Sequence, residues 1–125
     1  MNTVTINQIG KDFLTLCAAG NPREAFKLYA HTNFKHHNPF FKGDVDSLMI
    51  AMEESAKVNP NRVFEIKHTI MDADLVAYHS FIQQTQSDAG LVVVHILKFS
   101  DNKIIEMWDM HQPIPENMIN ENGMF

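Results

Sequence analysis

Met107-Trp108-Asp109-Met110-His111 sets a carboxylate inside a run of large side chains near the end of the 125-residue chain. A carboxylate among apolar groups is costly unless it is paired, protonated or exposed. In dry surroundings its pKa rises, so it becomes a better base and a usable acid. Histidine, the other common proton carrier, occurs seven times, and His37, His79 and His95 fall in patterned segments. The one cysteine, Cys17, lies beside Leu14, Leu16 and Ala18 in a helical pattern and reads as a small core residue. No Gly-x-Ser-x-Gly is present, so a nucleophile triad has little support.

Strand parity decides which of these groups meet. A turn at Asp72-Ala73-Asp74 that pairs Asp72 with Leu75 sets His68 opposite His79, with Phe64, Ile66, Ala77 and Phe81 on the same apolar face. The final hairpin has two registers. A three-residue loop at Ser100-Asp101-Asn102 pairs Phe99 with Lys103. Val93, His95, Leu97, Ile105, Met107, Asp109 and His111 then share a face, with Asp109 diagonal to His95. A two-residue loop sets His95 opposite Trp108 and turns Asp109 away. In the first, favoured register the other face carries Val94, Ile96, Lys98, Ile104, Glu106, Trp108 and Met110, a mixture that suits a sheet-to-sheet dimer contact.

The elements that must position these residues are legible. Ile6, Ile9, Phe13, Leu16 and Cys17 recur at helical spacing, with a Thr5/Gln8 capping box before them and Gly20 as the stop. Asn21-Pro22 opens a second helix, with Ala25, Phe26, Leu28 and Tyr29 on its apolar side. Phe34 to Asp44 is a short extended piece broken by Pro39 and Gly43, and Asp44 caps a third helix from Val45 to about Lys57. Four long antiparallel strands follow: Arg62 to Met71, Leu75 to about Gln86, Leu91 to Phe99 and Lys103 to Gln112. Three helices followed by strands is an α+β layout.

A hydrophobic fraction of 45% supports a packed core, and residues 1–125 fit a single domain. The net charge of −5 and the lack of any Lys/Arg cluster argue against a nucleic-acid partner. No basic start precedes an apolar run, and no stretch approaches the roughly 18 apolar residues of a membrane span, so a cytoplasmic protein with no membrane partner is expected.

His37-Asn38-Pro39, Asp74–His79 (DLVAYH), Lys103–Glu116 (KIIEMWDMHQPIPE) and Asn122–Phe125 (NGMF) give the chain a familiar order and spacing. It resembles the SnoaL-like polyketide cyclase family, within the nuclear transport factor 2-like fold, over nearly its whole length. The resemblance implies a cone in which the N-terminal helices pack on a curved, mainly antiparallel sheet enclosing an apolar pocket. It also implies a homodimer through the outer sheet face, and no cofactor or metal. The family's cyclases close a ring by aldol condensation, with an Asp on the last strand and a His on the strand before it. Those positions match Asp109 and His95. The chain departs from the common pattern at His95, Lys98 and Met107.

Asp109 and His95 are therefore the expected catalytic pair. His37, His79, Met107 and Phe81 are expected to bind a small apolar carbonyl compound, with His37 or His79 holding its oxygen or enolate. Isomerisation and dehydration fit as well as aldol chemistry. Two rivals stand beside this reading. One is a non-catalytic binding or dimerisation domain, and the other a metal held by His68, His79, His95 and Asp109. The tail Pro113–Phe125 is expected either to lid the pocket or to pack on a neighbouring subunit.

Overall fold

The computed structural model describes residues 5–125. Helix α1 (Ile6–Ala18) opens on the expected capping box: the Gln8 amide donates to Thr5 Oγ1 at 3.3 Å and the Thr5 amide to Gln8 Oε1 at 3.2 Å. It stops at Gly20, whose φ of +89° lets the Asn21 amide reach back to the Leu16 carbonyl at 2.9 Å. Arg62 closes the same helix end from across the fold. Its Nε donates to the Ala18 carbonyl at 2.7 Å, its Nη2 to the Cys17 carbonyl at 3.4 Å and its Nη1 to Ser55 Oγ at 3.0 Å. A cation at a helix C-terminus also complements the dipole. Arg62→Met is expected to cost about 1–3 kcal/mol through stranded carbonyls, read as a lower urea midpoint with unchanged slope.

Helix α2 (Pro22–Tyr29) begins without a side-chain cap bond from Asn21, so Pro22 at the first helical position defines its start. Strand β1 (Ala30–His36) follows directly, and α3 (Val45–Val58) starts where Asp44 Oδ2 accepts the Ser47 amide at 2.8 Å. The sheet is completed by β2 (Val63–Asp72), β3 (Leu75–Gln83), β4 (Leu91–Ser100) and β5 (Lys103–Pro113). Its order is β1-β5-β4-β3-β2. All neighbours are antiparallel except β1 and β5. The four-strand expectation therefore gains a parallel edge strand. The piece around Phe34 buries only Phe34 and His36, and its partner lies far along the chain, so local alternation carries no sign of it.

Two bulges decide which way the polar groups face. Between β2 and β3 the Asp72–Leu75 and His68–His79 pairs are as expected, but the register shifts between Ile66 and His68. Phe64 and Ile66 point to the core, whereas His68 turns to the other side. On β3 the inward side chains are Val76, Tyr78 and Ser80. The expectation that His79 and Phe81 share the core face with Phe64 and Ile66 is thus corrected: both lie on the outer face. Unbroken alternation linked the two sets, and one extra residue breaks that link.

In the last hairpin Ser100 pairs with Lys103 around a two-residue loop, Asp101-Asn102, with φ of 54° and 62°. This is the turn that twists with its strands, and Asn and Asp tolerate it. The expected three-residue loop is therefore corrected. Asp109 nevertheless stays on the core face, because Phe99 pairs with Ile104 and Lys98 with Glu106, leaving Ile105 as a bulge. Ile104, expected outside, is fully buried, and Ile105 joins Lys98 and Glu106 instead. His95 and Asp109 become direct cross-strand partners rather than diagonal ones.

The core joins α1, α2, α3, β1 and the inner face of the sheet. Phe26 packs edge-on against Phe13 and Phe34, at 5.1 and 5.0 Å between ring centroids. Such pairs add to what area burial alone provides. Tyr78, with no exposed surface, passes beneath α1 and donates its hydroxyl to the Asn7 carbonyl at 2.7 Å. Cys17 is buried, and burial pushes its thiol up to about 12, which leaves it unreactive as a nucleophile.

Candidate functional site

Between α1, α3 and the inner sheet face lies a cavity of about 130 Å³. Phe13, Leu14, Cys17, Met52, Phe64, Ile82 and Met107 give it apolar walls, and Arg62, Gln84, His95 and Asp109 are its polar members. β4 and β5 supply the last two as facing residues. His95 Nδ1 and Asp109 Oδ1 are both out of solvent's reach with no hydrogen-bond partner. Orphaned buried polar atoms are uncommon and ask for an explanation, one of which is a catalytic role.

The other carboxylate oxygen is held. Asn38 Nδ2 donates to Asp109 Oδ2 at 3.0 Å, and Asn38 Oδ1 accepts the Phe40 amide at 2.9 Å. The second bond fixes which end of the Asn38 amide meets the carboxylate. His36, which is 6% exposed, anchors the same loop: it accepts the Asn38 amide at Nδ1, 3.2 Å away, and lies 3.0 Å from the Lys42 carbonyl through Nε2. That leaves Nε2 protonated as the donor.

Burial pushes the His95 imidazole down from 6.5 to about 4, the neighbouring Asp109 charge pulling the other way. His95 is therefore neutral near pH 7 and can act as a hydrogen-bond donor and acceptor at once. The unfolded chain takes up a proton near pH 6.5 and the folded chain only near pH 4. Stability present above pH 6.5 is accordingly lost as pH falls through this window, by about 3 kcal/mol at most. His95→Gln is expected to flatten that part of a stability-against-pH curve from urea unfolding.

The remaining expected site residues divide by face. Met107 is 2% exposed and walls the cavity beside Asp109. His37 does not. One residue beyond inward-facing His36, it lies on the outer face, stacked on Trp108 at 5.1 Å and 2.6 Å from Glu106 Oε2 through Nε2. That bond holds the Glu106 carboxyl below its ordinary range. His79 and Phe81 are also outside, where the Phe125 ring covers them at 5.2 and 5.8 Å. The tail therefore folds onto the outer face of its own sheet, with Ile114, Met118 and Phe125 beside Glu65 and Lys67.

His68 and His79 stack with their Nδ1 atoms 3.0 Å apart, on the side of the sheet away from His95 and Asp109. The four cannot bind one ion. Among the described residues no group of three or more His, Cys, Asp or Glu side chains is placed to hold a metal.

Sequence reasoning missed three residues of the cavity and its support: Asn38, Arg62 and Gln84. Asn38 had a signal, since alternate residues of an extended segment share a face and Asn38 follows His36 by two. Arg62 and Gln84 sit at strand ends, where neighbouring sequence does not say what they meet. A larger, open concavity of about 650 Å³ lies on the outer sheet face, where Leu75, Ile96, Trp108 and Met110 meet the loop from His37 to Phe40, and Asp109 touches it as well. It lacks His95 and Gln84, so only the inner cavity brings together three side chains with orphaned atoms, Gln84, His95 and Asp109.

The architecture matches solved structures along most of its length. A candidate polyketide cyclase from Bacillus cereus aligns with a TM-score of 0.73 at 22% identity, over 86% of this chain and 74% of that one. An NTF2-like protein of unknown function from Cytophaga hutchinsonii aligns with a TM-score of 0.70 at 13% identity, over 90% and 94%. The chain has the nuclear transport factor 2-like fold. A SnoaL-like protein of unknown function from Burkholderia thailandensis shares this fold with a TM-score of 0.70 at 15% identity, over 90% and 99%. No protein-family model matches the chain, and no curated protein does. Identities this low establish the fold and leave the chemistry to the site. No helix among the described residues is long and apolar enough to cross a membrane.

Proposed function

We propose that this nuclear transport factor 2-like chain is a cofactor-free acid/base enzyme acting on a small carbonyl compound, as the SnoaL-like cyclases do. The single observation that carries this is the orphaned Asp109 Oδ1 beside the orphaned Nδ1 of a neutral His95, cross-strand neighbours on the wall of a largely apolar cavity. Asp109 removes a proton next to the carbonyl, and His95 hydrogen-bonds the oxygen on which negative charge develops. Asn38 holds the carboxylate at its other oxygen, so Oδ1 keeps its lone pairs for the substrate. The enolate formed can close on a second carbonyl, reprotonate elsewhere or expel a leaving group. Aldol cyclisation, isomerisation and dehydration share this first step.

Size narrows the substrate. An engineered cavity of about 150 Å³ holds one benzene, and the cavity here is about 130 Å³. A single ring or a short chain fits without movement of α1 or α3, and a multi-ring polyketide does not. The same proposal includes one domain over residues 1–125 and a homodimer through the outer sheet face, where Ile70, Leu75 and Met110 remain uncovered.

The test is hydrogen exchange at the carbon next to the carbonyl, followed by NMR in deuterium oxide over a panel of small ketones and aldehydes. This reads the shared first step whatever the later chemistry. Exchange above the buffer rate that is lost in Asp109→Asn supports the reading. Ligand binding with no exchange for any compound would instead make the chain a binding domain.

A further inference from the structure

Arg62 is the other charged group of the cavity, and the chemistry above does not use it. Its guanidinium is part-buried, and no carboxylate pairs with it among the described residues. Its partners are two carbonyls at the end of α1 and the Ser55 hydroxyl. These use three of the five N–H donors that a guanidinium carries. The helix end supplies only partial negative charge, roughly half an elementary unit. A part-buried cation with spare donors, on the wall of a small cavity, is half of an ion pair.

We propose that Arg62 is a specificity-determining residue that binds the carboxylate of the substrate, and that the substrate is a small oxo acid. This rests on the proposed acid/base reading for the role of Asp109, but it concerns a different group of the ligand. Both residues wall the cavity, and Arg62 is held by Cys17, Ala18 and Ser55 rather than by Asp109. An acid group on Arg62 thus leaves the carbonyl of the same short molecule for Asp109 and His95. The Gln84 side-chain oxygen, buried and without a partner on the same wall, adds an acceptor for a substrate hydroxyl or enol. Beyond the bonds of Arg62 to the end of α1 and to Ser55, a cavity built only for apolar ketones has no use for its spare donors or for the Gln84 oxygen. Leaving a cation and an amide unpaired beside such a ligand would weaken its binding.

The experiment compares ligands before it compares variants. Oxo acids of four to six carbons and their neutral amides are titrated against the wild-type protein by calorimetry, with Asp109→Asn and Arg62→Gln alongside. The expected result is that an oxo acid binds at least tenfold more tightly than its amide to wild type and to Asp109→Asn, with the preference gone in Arg62→Gln. Arg62→Lys keeps part of it, and guards against loss of fold in the glutamine variant. Equal binding of acids and amides by wild type, or binding of neither, overturns the assignment. Preferred binding of acids without hydrogen exchange leaves Arg62 assigned and removes the catalytic reading instead.

Discussion

Asp109→Asn is expected to lower the rate of carbonyl-linked hydrogen exchange by 10²- to 10⁴-fold, the range that one positioned general base supplies. The substitution keeps the shape of the side chain, and an oxygen remains to accept from Asn38 Nδ2, which sits 3.0 Å from Oδ2 in the native protein. What disappears is the lone pair basic enough to take a carbon-bound proton. Stability moves the other way or not at all. The variant replaces a partly buried charge, one of whose oxygens has no partner, with a neutral amide. A melting temperature equal to or above wild type, together with the rate loss, separates chemistry from folding. If wild type exchanges and the variant exchanges equally fast, Asp109 is not the base.

Gly10→Ala is expected to destabilise the protein by about 3 kcal/mol or more, although alanine is the better helix former by about 1 kcal/mol. A Cβ at Gly10 would overlap Tyr78 Oη and meet Tyr78 Cζ at 2.8 Å and Leu97 Cδ1 at 3.0 Å. Tyr78 has no room to give way: it is fully buried, and its hydroxyl is held by the Asn7 carbonyl. Packing therefore outweighs propensity. For a chain of this size the loss corresponds to a fall in melting temperature on the order of 10 °C. Tyr78→Phe alone should cost about 1 kcal/mol for the lost bond. In the Gly10→Ala background the same change removes the shortest of the three contacts, so the double variant should lose less than the sum. Additive losses would show that α1 shifts as a body to make room.

Helices were legible because their signals are local. Thr5, Gln8, Gly20 and Asp44 act within a turn of where they stand, and α1 and α3 begin where those residues put them. The positions of β2 to β5 were legible for the same reason, whereas β1 was not, because its partner lies far along the chain. The facing of their side chains was not, because a single bulge at Lys67 or Ile105 inverts everything beyond it. His79 and Phe81 were misplaced by that mechanism. Asp109 and His95 kept their face because a shorter loop and a bulge offset each other. His37 and Asn38 show the same limit at close range. The His-Asn-Pro stretch draws the eye to the imidazole, yet the amide one residue later is the group that reaches Asp109.

The Asp101-Asn102 turn and the Ile105 bulge have a consequence for descent. Each adjusts the length of the hairpin by one residue, and the two act in opposite senses on the facing of β5. A lineage that gains or loses one residue in the loop can keep its carboxylate inside only by losing or gaining the bulge. Drift in this hairpin should therefore proceed by paired insertions and deletions, with the spacing between loop and carboxylate varying while its facing does not. Homologues with an uncompensated change would be those that had abandoned the inner cavity altogether.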